Sequence, residues 1–233
     1  MNRACGKFLH ITYMADNNWG YPIWSAIHAV IPPAQLPEQL KQEIGDLVLG
    51  ISVRLDYLPS IINRINDGVN RLYDEVKQRD KSSDRCAYEP KPGIKYPLLV
   101  DINSFLFEVY SCLLLVETLG KKVLRQIMQK QVQGSLVRVV LRAKGKPSEW
   151  LDRLRDWRHH FTHGGTPWVA VCLDQEPTYD LLVMKYNVHD FSDAETFFRL
   201  SELDQVLKGF MEAIMLAQQH ITDVAATLTG TPA

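Results

Sequence analysis

The 233-residue sequence has few cysteines, no long apolar run, no glycine-loop motif and almost no net charge. Its four cysteines, Cys5, Cys86, Cys112 and Cys172, lie far apart and form no C-x-x-C pair. That spacing argues against a disulfide framework and a cysteine-based zinc site, and points to a reducing compartment, the cytoplasm. No apolar run approaches the length of a bilayer span, so no membrane association is expected. The opening residues, MNRACGKFLHITYMADNNWG, lack the apolar core and small-residue cleavage site of a signal peptide. The absence of G-x-S-x-G, a Walker loop and G-x-G-x-x-G removes the usual marks of serine hydrolases, P-loop enzymes and dinucleotide binders. A formal net charge of -1 argues against polyanion binding through bulk charge.

Hydrophobic residues at 46% and charged residues at 23% are ordinary for a globular chain, and this length is most simply one domain. The charge is uneven. From Lys121 to Arg158 there are eleven Lys and Arg against three acids, a local excess of +8 that leaves the rest at -9. Such a basic middle suits phosphate recognition, but a helix face balanced by acidic neighbours explains it better on charge alone.

Three segments alternate three- and four-residue apolar spacing, the pattern of helices that keep one stripe against partners. They run from Val48 through Leu58 and Ile65 to Val76, from Leu106 through Val116 to Ile127, and from Leu203 through Phe210 to Val224. Pro59 lies in the first and should kink or split it. A shorter fourth helix fits Trp150, Leu154, Trp157 and Phe161, with Ser148 as its cap and Gly164-Gly165 as its stop. The aromatic residues of that row fit a core better than a base-stacking surface. Packing is also expected of Trp19, Trp24 and Trp168. Residues 166–189 read as a β-hairpin around DQEPT, KSSDRCAYEPKPGIKYP reads as a loop, and residues 1–33 show no period. The expected architecture is mainly α: an antiparallel four-helix-type bundle with a small β-hairpin inserted before the last helix.

The fourth helix ends in RHHFTH, Arg158 to His163. His159 and His163 share a face and could hold one ion, but a zincin needs Glu directly after the first histidine, and His160 stands there. No third ligand is marked, so neither a metal nor a cofactor is expected. Cleaving RNA without a metal needs a proton-transfer group and a fixed cation for the phosphoryl oxygens. Histidine, with a free pKa of about 6.5, suits the first task, and the arginine fork suits the second. The 2′-hydroxyl of RNA is itself the nucleophile. Arg158 and His163 nevertheless stand five apart, which on an intact helix turns them about 140° from one another. Unwinding at Gly164, or pairing across a two-fold axis, would relieve that divergence.

A helical bundle carrying Arg, four residues, then His on a short late helix resembles the HEPN superfamily. DINSFLFEVYSCLLLVETLGKKV resembles the long helix that packs beside the motif in that family. The resemblance implies a metal-independent endoribonuclease acting as a homodimer, with motif helices of two subunits forming one cleft. Arg158 would stabilise the phosphate, His163 would serve as acid and base, and His159 would orient or assist. Arg155, His160 and Thr162 are the expected RNA or phosphate contacts. The products would be a 2′,3′-cyclic phosphate and a 5′-hydroxyl. The alternative within the family is a non-catalytic module that binds a nucleotide, RNA or a regulatory protein partner. Gly165 stands where some toxin-type members carry tyrosine, and the hairpin is an elaboration on a minimal member.

Overall fold

The computed structural model describes residues 15–78, 90–165, 167–173, 179–188 and 191–230. Cys5, Cys86, His10, His189 and the DQEPT turn lie outside the described residues. The order is α1 (Tyr21–Val30), α2 (Glu38–Lys77), α3 (Pro92–Lys122), α4 (Leu136–Ala143), α5 (Glu149–His163), β1 (Trp168–Cys172), β2 (Asp180–Met184), β3 (Phe197–Arg199) and α6 (Glu202–Thr229). The chain is mainly α, a helical bundle with a small antiparallel sheet ahead of its last helix.

The apolar rows explain the packing. Ile51, Leu58, Ile65, Val69 and Leu72 of α2 are buried, as are Leu106, Val109, Leu113 and Val116 of α3 and Phe210, Ile214, Ala217 and Ile221 of α6. α3 runs through the middle, touching α2, α4, α5 and α6. Cys112 faces this interior at 1% exposure, and burial pushes its thiol up to about 12. Beside it, the Arg54 guanidinium and the Tyr57 hydroxyl both donate to Glu108, tying α2 to α3 through a half-buried polar cluster.

Several expectations change. Pro59 does not split α2, which continues for 40 residues; the proline lies on the exposed face, where water can satisfy the carbonyl it leaves without a donor. Pro92 and Pro97 belong to α3 and not to a loop, because Pro92 opens the helix, where its missing amide costs little. Within residues 1–33, α1 buries Ile23 and Ile27 and packs along α6. A fourth expectation also needs amending. The α3 helix with its short π-helical extension, Pro92–Ile127, contains a window of mean hydropathy 1.7, long and apolar enough to cross a bilayer; 39% of that window is buried inside the protein, and core helices of bundles pass the same test.

The sheet has three strands, not two, in the order β1-β2-β3. β1 and β2 pair antiparallel as the expected hairpin, with Ala170 opposite Leu182. β3 adds Phe198 opposite Val183 and lays its ring edge-on against Trp157 of α5, 4.3 Å between centroids. The sheet thus braces the helix that carries the histidines.

Candidate functional site at the end of α5

Trp150, Leu154 and Trp157 are buried, so the aromatic row of α5 is core, with Phe161 half-buried against it. Trp168, by contrast, is 53% exposed and does not pack inside. Ser148 holds the N-cap position, but its hydroxyl makes no capping bond; its amide donates to the Glu149 carboxylate instead, 3.0 Å. The helix runs unbroken through His163, and Gly164 keeps right-handed helical angles before Gly165 turns to φ +100.

That continuity decides the local geometry. Arg158 and His163 keep the divergence of about 140°, since no unwinding begins before His163. Arg158 leans toward α3, where its guanidinium carbon lies 5.2 Å from the Tyr110 ring centre and 5.9 Å from that of Phe107. Its Nε is buried without a hydrogen-bond partner among the described residues. His159 and His163 come together on the exposed face, ring centres 4.9 Å apart. One chain therefore brings the two imidazoles together on one face and turns the cation away from them, toward α3.

The remaining candidates are engaged in other ways. Arg155 is exposed and pairs with Asp152 at 3.1 Å, a carboxylate that Arg138 also holds at 2.6 Å. The Thr162 hydroxyl donates to the carbonyl of Arg158, one turn back, at 2.8 Å. His160 turns the opposite way, toward the sheet, with its ring edge-on to Trp157. Burial, then the nearby Lys185 ammonium, lower its pKa, while Asp156 and a backbone hydrogen bond at Lys185 oppose them. Gly164 makes room for the imidazole: a Cβ there would fall 2.3 Å from the His160 Nδ1.

Six of the eleven basic residues from Lys121 to Arg158 pair with carboxylates. Lys121 meets Glu117, Lys122 meets Glu43, Lys146 meets Glu212, and Arg153 meets Glu195 and Glu202. Among the described residues, no group of three or more His, Cys, Asp or Glu side chains could hold a metal ion. A cavity of about 220 Å³ opens at the start of α6 beside Asn66, Phe105, Asp180 and Asp204, and none of the six candidate residues lines it.

Sequence reasoning missed Phe107 and Tyr110, the rings beneath Arg158. A signal was present: Tyr96, Val100, Asn103, Phe107, Tyr110 and Leu114 form a second row of four- and three-residue spacing on α3. Compared with known family models, curated proteins and solved structures, the chain finds no match.

Proposed function

We propose that the protein is a HEPN-like, metal-independent endoribonuclease whose site closes between two copies of the α5 end. One observation carries the reading. A guanidinium seated on two aromatic rings and a pair of imidazoles in contact occupy one helix end, His159 and His163 on its exposed face. In the reaction, the ribose 2′-oxygen attacks phosphorus while an imidazole accepts its proton. The bond from phosphorus to the 5′-oxygen then breaks, and that oxygen leaves with a proton supplied by an imidazolium. The products are a 2′,3′-cyclic phosphate and a 5′-hydroxyl, with no redox change. Arg158 stabilises the charge on the phosphoryl oxygens, His163 carries the protons, and His159 orients it.

The test is labelled RNA incubated with purified protein and excess EDTA. Cleavage is expected to persist, to fall by about 100- to 1000-fold in Arg158→Ala, and by about 100- to 10,000-fold in His163→Ala. Cleavage that requires added metal rejects the mechanism. A second reading, a non-catalytic module binding RNA or a nucleotide, is favoured by the divergence of Arg158 from His163 on an intact helix. Binding without cleavage, weakened in Arg158→Ala, would establish it.

A further inference from the structure

The cavity at the start of α6 plays no part in the ribonuclease reading. It holds about 220 Å³, walled by α2, α3, α6 and the turn that joins β3 to α6. Its inner wall is apolar. Ile65, Phe105 and Leu203 are buried there, and Ile62 and Leu207 complete the lining. Its rim is polar: Asn66, Ser201 and Asp204 are exposed, and the Asp180 carboxylate joins them at 15% exposure.

An apolar interior with a few polar groups at one end is the make-up of a small-molecule site. Size limits what enters. A cavity of about 150 Å³ lined by Leu, Ile and Phe takes up benzene, and a water-sized group claims about 30 Å³. The space beside Phe105 therefore suits one six-membered ring with two or three further heavy atoms, and the Phe105 side chain offers that ring an aromatic neighbour.

Charge at the rim selects the other end of the ligand. Asp204 forms no ion pair among the described residues, and Lys208, one turn further along α6, does not reach it. Asp180 accepts from the Ser201 hydroxyl at 3.1 Å and from Arg199 at 3.5 Å, both on Oδ2. Arg199 offsets part of that charge from outside the lining, and the start of α6 adds about half a positive charge. Two carboxylates outweigh both, so the rim stays negative, most of all at Asp204.

We infer that this cavity binds a small aromatic amine, with its ring against Phe105 and Leu203 and its ammonium between Asp180 and Asp204. An ammonium carries three donors, for which the two carboxylates and the Asn66 side-chain carbonyl are the acceptors at the rim. The site is independent of the ribonuclease reading, since Arg158, His159 and His163 do not line it.

Isothermal titration of the full chain with phenethylamine at neutral pH, against phenethyl alcohol of the same size, tests it. The amine should bind at micromolar to millimolar concentration, and the uncharged alcohol about 10-fold more weakly or worse. Asp204→Asn and Asp180→Asn should each weaken the amine by about 10-fold and leave the alcohol unchanged. Leu207→Trp, which fills the cavity, should abolish binding of both with helical circular dichroism retained; the asparagine variants decide the matter if it fails to fold. Asp46→Asn, exposed on α2 and not in the lining, should change neither affinity. Equal binding of the alcohol, no heat from the amine at about 10 mM, or an affinity that survives both asparagine variants overturns the site. So does binding retained by a folded Leu207→Trp. RNA cleavage is read separately, and its absence leaves this site standing.

Discussion

Arg158 and His160 are two positions apart on α5 and end in opposite surroundings. Arg158 leans on aromatic rings, an arrangement worth about 0.5–1 kcal/mol at exposed sites and more when water is excluded. His160 is turned toward Lys185 and the sheet, and burial lowers its pKa. Its folded pKa lies below the unfolded value of about 6.5, so the unfolded chain binds more protons as pH falls through that value. Stability should therefore decline from pH 7 toward 5, and His160→Phe should remove part of that slope in urea titrations at the two pH values. Equal slopes in both proteins would disprove the assignment. Gly164→Ala should lower stability by about 1–3 kcal/mol, because the added methyl meets the His160 ring and carbonyl. The positions of these residues along α5 were legible from the spacing of Trp150, Leu154, Trp157 and Phe161. What each side chain touches was not, because Phe107, Tyr110 and Lys185 come from elements distant in sequence.

Among the elements, α4 shows why short helices escape a reading by period. Its eight residues carry too little repeat to stand out, and its start is fixed from another helix. The Glu117 carboxylate, 19 positions earlier on α3, accepts the amides of Leu136 and Val137 at 2.8 and 2.9 Å and the hydroxyl of Ser135. Charge-assisted bonds to free helix amides are strong, and Glu117 is only 15% exposed. Glu117→Ala should cost about 1–3 kcal/mol, read as a lower melting temperature, and Glu117→Gln should recover part of it. Gly120 lets the same two helices meet, since a Cβ there would lie 2.1 Å from the Leu136 Cδ2. It falls within the apolar row from Leu106 to Ile127, and spacing alone gives no sign of that close approach. β3 was missed for a plainer reason: three residues cannot display alternation.

For the whole molecule, the long helices were readable because their buried rows recur over many turns, and the bundle follows from them. α1 was not readable, since its 10 residues are too short to establish a period. It nevertheless buries Ile23 and Ile27 completely and Ala26 almost so, and Trp19 just before it is 7% exposed. A chain starting at residue 34 should lose on the order of 5 kcal/mol, given about 1.5–3 kcal/mol for each large side chain returned to water. That is enough to abolish a cooperative urea transition in a protein of ordinary stability.

The sealed sulfur of Cys112 turns this architecture into its own clock. A maleimide captures only thiolate, and a thiol shut in the bundle with so high a pKa offers almost none until the helices part. Mass spectrometry of the peptide carrying Cys112 should therefore record how often the interior opens, while Cys172, on the edge strand and partly exposed, reacts sooner. Ligands that hold the helices together would slow that reading without touching the sulfur.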